Sequence, residues 1–557
     1  MVTSLIIALL LVPLLRNGNP LTPYYACEGM VVSAHPLATE AGLAVLRAGG
    51  NAFDAGVATE FALAVVFPVA GNIGGGGFAI IHTADGEINS LDYREQAPAA
   101  ASSTMYLDSA GNPIPKRSTH GLQAAGIPGT VAGMYALHQQ YGRMAWDSLL
   151  LPAITYARHG WPLTEKEAAL LNSHHKELEK YNGKHSYLTH KHHVKAGELL
   201  LNPQLAKTLE LIAENGKAGF YSGPVADSLV AQMSAGGGYI TQQDLTDYQA
   251  IWRPTLHFDY GDYTIHSMGP PSSGGVLLSQ IWQMTHNYPI DRWDPNDMRS
   301  LQLVIEAERR AYADRSAYLG DPDFVTIPVA ALTDSVYLAK RIANIRWEYA
   351  GKSTQTLPGT VYQESDQTTH YCVADGAGNL MTATTSLNGP YGSKVIVSGA
   401  GFLLNNTMDD FSIAPGIPNS YGLVGSAANA IAPGKRMLSS MTPTLVLQKG
   451  KPYLITGTPG GSTIPTTVFQ VLMHVLDYDK NIQAAVSSPR FHHQWLPDEV
   501  KFELGRFNKR MLRDLKERGY VLKPSSPYGR AEGIRILPDA TLEGGADPRG
   551  DDKVGGF

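Results

Sequence analysis

Thr368-Thr369-His370-Tyr371-Cys372-Val373-Ala374-Asp375-Gly376-Ala377-Gly378-Asn379-Leu380-Met381-Thr382-Ala383-Thr384-Thr385-Ser386-Leu387-Asn388 is the stretch on which the reading of this chain turns. Residues 369–373 alternate as a strand does, residues 375–379 are turn formers, and residues 380–387 alternate again, which predicts a β-hairpin. Centring it near Ala377 places Ser386 opposite Thr368 to within a residue or two, with Asn388 close by. Upstream, residues 353–367 (STQTLPGTVYQESDQ) are polar, carry Pro358-Gly359 and read as an exposed linker. A linker thus runs into a strand whose first residue faces a second hydroxyl and an amide.

That pattern suits a nucleophile made by self-cleavage. A threonine hydroxyl needs a base beside it, and a free α-amino group on the same residue, with an ordinary pKa of about 7.7–8.0, supplies one near neutral pH. Cutting between Gln367 and Thr368 creates both groups together. On spacing alone, the plainer reading of two threonines in an ordinary strand also stands.

Working outward, 557 residues exceed what one hydrophobic core serves, so two or more subdomains or one large layered unit are expected. With 43% hydrophobic and 17% charged residues the chain is globular, not disordered. Lys+Arg 44 against Asp+Glu 50 gives a net charge of −6 with no basic block, which argues against DNA and RNA partners. Two cysteines, Cys27 and Cys372, are too few for a disulfide scaffold or a cysteine metal site. Residues 4–15 (SLIIALLLVPLL) have signal-peptide length and are too short to span a membrane, so a leader over residues 1–26 and a periplasmic or extracellular location are expected. No basic residue precedes that run and no A-x-A site follows it, so a buried N-terminal segment is the alternative.

Residues 37–46 and 54–67 read as a buried helical hairpin with Gly49-Gly50 between them. Gly74, Gly76 and Ala79 fit a loose dinucleotide pattern, but the apolar run that follows is strand-like, so the glycines are expected to allow close backbone packing. Residues 130–352 read as mostly helical, interrupted by Gly269-Pro270-Pro271-Ser272-Ser273-Gly274-Gly275, which lacks a G-x-S-x-G elbow. A phosphate loop is missing, since Arg346 stands where Gly351-Lys352-Ser353 would need its first glycine. Six histidines between His174 and His193 lie among lysines without metal-site spacing and read as a solvated surface segment, and His492-His493 reads as packing.

Further motifs stand in order along the chain: Asp92-Tyr93-Arg94-Glu95, Leu403-Leu404-Asn405-Asn406-Thr407-Met408-Asp409-Asp410-Phe411, Ser439-Ser440-Met441-Thr442-Pro443-Thr444, Gly457-Thr458-Pro459-Gly460-Gly461-Ser462 and Asp547-Pro548-Arg549. Together with Thr368-Thr369-His370-Tyr371-Cys372 they closely resemble the γ-glutamyltransferases (γ-glutamyl transpeptidases), over about residues 29–557. The resemblance implies an α+β, N-terminal-nucleophile hydrolase fold: an αββα sandwich of two stacked sheets. It implies a precursor cut before Thr368 into a large subunit, residues 27–367, and a small subunit, residues 368–557, forming one heterodimer. The implied substrates are glutathione and other γ-glutamyl compounds, with water, amino acids or dipeptides as acceptors, and no cofactor or metal. By the same resemblance Thr368 is the nucleophile, Ser386 its hydrogen-bond partner, and the backbone N–H groups of Gly460 and Gly461 the oxyanion donors. Arg94, Ser439, Ser440 and Asn388 are matched to the α-carboxylate end of glutamate, and Asp410 to the α-ammonium.

Three departures stand out. Many members carry Gln or Glu where this chain has Thr407, which offers the ammonium only a short hydroxyl. Ser386 replaces a more familiar Thr but keeps the hydroxyl. Residues 415–422 resemble a lid loop present in some members, with Tyr421 as the covering residue. The alternatives are a cephalosporin- or glutaryl-type acylase of the same fold, against which Asp410 argues, and an uncleaved relative acting as a binding protein.

Overall fold

The computed structural model describes residues 22–356, 368–413 and 427–557, so Gln367, Tyr421 and most of the expected leader lie outside the described residues. Two capped helices begin the chain's packing. In Ala52–Val66 the Asn51 side chain accepts from the N–H groups of Phe53 and Asp54 at 3.1 and 2.9 Å, and Asp54 accepts from Asn51 N–H at 3.1 Å. Every residue of this helix is buried, which matches a sequence apolar on all faces. It packs with Pro36–Arg47 as the expected helical hairpin.

The hairpin read from sequence forms as Thr369–Asp375 paired with Leu380–Ser386. Thr369 pairs with Thr385 and Ala374 with Leu380, so Ser386 falls opposite Thr368. The turn is held by one carboxylate. Asp375 Oδ1 accepts from Ala377 and Asn379 N–H at 2.9 and 3.0 Å, while Oδ2 accepts from Asn379 Nδ2 at 2.7 Å and from Ala52 N–H, at the start of the buried helix, at 2.9 Å.

Among the described residues, two sheets of seven strands each stack face to face. The first runs Lys553–Gly556, Gly29–Ser33, Thr369–Asp375, Leu380–Ser386, Gly76–His82, Ile88–Asp92 and Ile251–Arg253, antiparallel throughout. The second runs Tyr24–Ala26, Leu542–Gly545, Glu532–Ile536, Lys451–Gly457, Thr444–Gln448, Tyr263–Ser267 and Leu256–Tyr260, also antiparallel. Period-2 alternation divides the side chains. Met30, Val32, Cys372, Ala374, Leu445, Ile455 and Ile534 fill the space between the sheets. Tyr371, Val373, Met381 and Ala383 face the first helical layer, and Ile265, Val446 and Leu454 face helices Gly274–Thr285, Met298–Tyr318 and Ile464–Leu476. The order is αββα, as the resemblance implied.

The structure adds detail to three readings. Residues 130–352 are mostly helical, as read, but Ile251–Arg253, Leu256–Tyr260 and Tyr263–Ser267 are strands of the two main sheets. The signal was Gly261-Asp262, a two-residue turn between aromatic-rich runs, with Gly261 at φ 56°. The histidine stretch is not wholly solvated, since His175 lies on the packed face of helix Glu165–Asn182, 5% exposed, and stacks on His192 at 5.1 Å. Tyr24–Ala26, placed in the leader on sequence, is an edge strand paired with Leu542–Gly545. The glycine run behaves as expected: a Cβ on Gly75 would lie 2.1 Å from the Ser386 carbonyl oxygen.

Burial holds four histidines neutral, pushing His370, His474 and His492 down to about 3 and His493 to about 4. In the unfolded chain each protonates near pH 6.5, so the stability they contribute is present above that pH and is lost as pH falls toward 4, at about 1.4 kcal/mol per pH unit for each proton. Glu60, Glu95 and Asp409, raised by burial to about 8, 7 and 6, act with the opposite sign, losing their contribution as pH rises through those values. In denaturant titrations, His474→Gln is therefore expected to show a shallower loss of stability than wild type between pH 6.5 and 4.5. An unchanged slope would contradict a buried neutral imidazole.

Candidate active site

Thr368 opens the central strand and is 7% exposed. Its Oγ1 lies 3.4 Å from Ser386 Oγ, which also accepts from Asn388 N–H at 2.8 Å. Asn388 turns the chain in the left-handed region, at φ 73°, and its Nδ2 donates to the Asn406 carbonyl at 3.1 Å. Thr368, His370 and Cys372 share the face toward the second sheet. His370 sits two residues from the candidate nucleophile, but it is neutral and engaged with Thr384 Oγ1 at 2.9 Å and Thr382 Oγ1 at 3.1 Å.

The second sheet reaches the same place. A Cβ on Gly457 would lie 2.3 Å from His370 Cε1, so strand Lys451–Gly457 ends directly over this histidine. The chain continues as Thr458-Pro459-Gly460-Gly461, and Pro459 and Thr368 line one cavity of about 360 Å³ with Phe67, Lys501, Gly529 and Arg530. Gly460 and Gly461 have φ of 135° and 56°, which L side chains rarely adopt. The loop is tied through other groups: Gly460 O accepts from Thr463 Oγ1 at 2.7 Å, Ser462 Oγ donates to Gln494 at 2.9 Å, and Tyr312 donates to the Ser462 carbonyl. The Gly460 and Gly461 N–H groups have no acceptor among the described residues.

The predicted glutamate-binding residues form a second, buried group. Arg94 Nη2 pairs with Asp410 Oδ2, Nη1 lies 3.4 Å from Glu95, and Nε donates to the Met437 carbonyl at 3.4 Å. Beneath Arg94, Asp92 accepts from Arg94 N–H at 3.0 Å, Arg253 Nε at 2.8 Å and Arg436 Nη1 at 3.0 Å. Arg436 Nη1 and Tyr248 Oη both donate to the Arg94 carbonyl, at 2.6 and 2.8 Å. The Asp-Tyr-Arg-Glu motif is thus a strand end whose first acid immobilises its arginine. Asn429 Nδ2 donates to the Asp410 carbonyl at 2.7 Å, and burial raises the neighbouring Asp409, bonded to Ser118 Oγ at 2.5 Å, to about 6.

Thr407 is engaged locally: its hydroxyl donates to Asn405 Oδ1 at 2.6 Å. Asn405 in turn donates to the Gly74 and Gly126 carbonyls, both at 2.8 Å, and thereby joins this loop to the glycine run. Ser439 and Ser440 rest on the Pro-Ser-Gly segment that sequence analysis left without a role. Ser273 N–H and Oγ donate to the Ser439 carbonyl at 2.7 and 2.8 Å, and Arg315 Nη2 donates to Ser440 Oγ at 3.2 Å. Asp92, Arg436, Asn405, Ser273 and Arg315 were missed from sequence. Asp92, Asn405 and Ser273 lie in motifs visible in the sequence, whereas Arg436 and Arg315 carried no signal. No cluster of three or more His, Cys, Asp or Glu able to hold a metal occurs among the described residues.

A two-sheet αββα sandwich with a threonine hydroxyl at the head of a central strand and a glycine loop facing it defines the class of N-terminal-nucleophile hydrolases. Within that class, the gamma-glutamyltranspeptidase family profile matches residues 38–557, and the chain belongs to this family. It is 44% identical over 540 residues to the glutathione hydrolase proenzyme of Escherichia coli, covering 96% of this chain and 93% of the relative. The corresponding proenzyme of Pseudomonas aeruginosa is 45% identical over 527 residues, covering 94% and 93%. The crystal structure of a cephalosporin acylase from Bacillus halodurans superposes with a TM-score of 0.85 over 99% of each chain at 27% identity.

If Asp92 holds Arg94 in place, Asp92→Asn leaves two arginines facing a neutral amide. Loss of a buried charge partner is expected to destabilise the fold by about 3–5 kcal/mol, measured by chemical denaturation. A change under about 1 kcal/mol would show that Arg94 is held by other means.

Proposed function

We propose that this protein is a self-processing γ-glutamyltransferase and glutathione hydrolase whose nucleophile is Thr368. The observation that carries the proposal is the Thr368–Ser386 hydroxyl pair, found in a chain that also holds the Gly460–Gly461 loop and the buried Arg94–Asp410 pair and is 44% identical to a glutathione hydrolase proenzyme. Cleavage of the Gln367–Thr368 bond frees the α-amine. The Thr368 hydroxyl then attacks the γ-carbonyl of a γ-glutamyl amide and passes its proton to that amine. The tetrahedral oxyanion is held by the N–H groups of Gly460 and Gly461. The departing amine takes the proton, leaving a γ-glutamyl ester on Thr368. Water resolves the ester to glutamate, and an amino acid or dipeptide resolves it to a new γ-glutamyl compound.

The substrate's α-carboxylate is read by Arg94, Ser439 and Ser440, with Asn388 at the same end, and its α-ammonium by Asp410. Arg94 and Asp410 form a buried ion pair. A zwitterionic α-amino acid end supplies both opposite charges and substitutes for that pair; a glutaryl group supplies only one. This favours γ-glutamyl donors over glutaryl ones. Tyr421, outside the described residues, is proposed as the lid residue over bound donor.

The fold explains how two chains would stay together after the cut. In the first sheet, Gly29–Ser33 lies between Lys553–Gly556 and Thr369–Asp375, and Leu380–Ser386 pairs with Gly76–His82. Ser353, near the upstream end of the linker, is held from beyond the cut by Asp498, which accepts from its N–H at 2.8 Å, and by Trp495 Nε1, which donates to its carbonyl at 2.9 Å. No helix among the described residues is long and apolar enough to cross a membrane. Export by the N-terminal apolar segment is proposed.

Intact mass and N-terminal sequencing of wild type and Thr368→Ala test the nucleophile. Two chains, the smaller beginning at Thr368, are expected for wild type and one for the variant, with γ-glutamyl anilides turned over at least about a hundredfold better than glutaryl anilides. An uncut, inert wild type would overturn the proposal, and preference for glutaryl would turn it to an acylase. The base must be unprotonated to act, so kcat/KM is expected to rise with pH through one ionisation near about 7–8. That limb should stay in place in His370→Gln, whose imidazole is already neutral throughout this range.

A further inference from the structure

Helix Met298–Tyr318 is buried on all sides over most of its length and carries Arg315, 4% exposed, one turn before its end. Arg315 Nε donates to Ser273 Oγ at 2.9 Å and Nη2 donates to Ser440 Oγ at 3.2 Å. Ser273 Oγ donates onward to the Ser439 carbonyl at 2.8 Å. The two serine hydroxyls lie 3.3 Å apart.

The donor inventory makes this arrangement directional. A guanidinium can only donate, so both hydroxyl oxygens are acceptors toward Arg315. The Ser273 proton is committed to the Ser439 carbonyl. Ser440 has one proton, and its acceptor among the described residues is Ser273 Oγ at the longer 3.3 Å, an oxygen already engaged by Arg315. With a lone pair of Ser440 taken, its O–H is left to donate to an incoming acceptor, and polarisation by the charged donor strengthens the bond it makes. Ser439, meanwhile, is fixed through its backbone: its N–H donates to the Pro271 carbonyl at 2.9 Å and its Oγ accepts from Met441 N–H at 3.1 Å.

We propose that Arg315, through Ser273 and Ser440, is a positioning residue that presets the serine pair as hydroxyl donors for the α-carboxylate of the γ-glutamyl donor. The inference rests on the assignment of Ser439 and Ser440 to that carboxylate. It gives the Gly-Pro-Pro-Ser-Ser-Gly-Gly segment a function: its second serine is the relay, and Gly274 fits because a Cβ there would lie 2.4 Å from Thr442 Oγ1. In this role Arg315 acts through the two hydroxyls and not on the substrate. Its effect belongs to binding of the carboxylate end and not to the acyl-transfer step.

The test is a double-mutant cycle on the self-processed protein with γ-glutamyl-p-nitroanilide as donor. R315Q is expected to raise KM about tenfold with kcat within about threefold of wild type, and S440A to raise KM similarly. R315Q/S440A should lie within about twofold of S440A alone, because Arg315 acts through that hydroxyl. R315K cannot bridge both serines and should not restore KM; S273A should shift KM in the same direction by less. Multiplicative effects in the double variant, restoration by R315K, or loss of kcat at unchanged KM would each overturn the proposal. If S440A leaves KM unchanged, the assignment of the serine pair itself fails and the inference falls with it. Should R315Q fail to self-cleave, S273A with S440A completes the same cycle.

Discussion

One register holds this molecule together. The hairpin of Thr369–Asp375 and Leu380–Ser386 lies near the middle of the first sheet, and a slip of one residue would turn each of its side chains to the opposite face. Cys372 and Ala374 would leave the inter-sheet core for the helical layer, and Thr368 would lose Ser386. Asp375 prevents this. Its carboxylate accepts three bonds from the turn and a fourth from the first N–H of the buried helix Ala52–Val66, so the tightest part of the hairpin and the helix below it share one anchor. The glycine run at residues 74–77 completes the lock, since side chains there would strike the neighbouring backbone.

The site grows out of two strand ends that this register brings together. Thr368 belongs to the first sheet and the Gly460–Gly461 loop to the second, and the contact between Gly457 and His370 sets their separation. His370 seals that contact. Its ring is hydrogen-bonded to two threonines and kept neutral by burial, so it is already engaged beside the Thr368 hydroxyl.

Charge is handled differently around Arg94. Buried ions are tolerated only when paired. Here Asp92 gathers Arg253, Arg436 and the Arg94 backbone, and Arg94 itself closes onto Asp410. Buried charges of both signs therefore stand in contact on each side of Arg94. Helix Met298–Tyr318 braces both halves, with Tyr312 on the glycine loop and Arg315 on the serine pair.

The sequence by itself determined whatever depends on neighbours along the chain. Alternation around a Gly-rich turn predicted the hairpin and its register, apolar periodicity predicted the helical pair, and motif order predicted the layered fold, the candidate nucleophile and most of the residues around it. Only the tertiary structure decided what depends on groups far apart in sequence. Asp92 reaches Arg436, Arg315 reaches Ser440, and Asn405 reaches Gly126, each across more than a hundred residues. It also assigned strands to Leu256–Tyr260 and Tyr263–Ser267, whose place is set by pairing with Thr444–Gln448. The physical reason is the same throughout. Local propensity and periodicity act over a few residues, whereas hydrogen-bond satisfaction of buried polar groups is a property of whichever distant groups the packed sheets bring within about 3 Å.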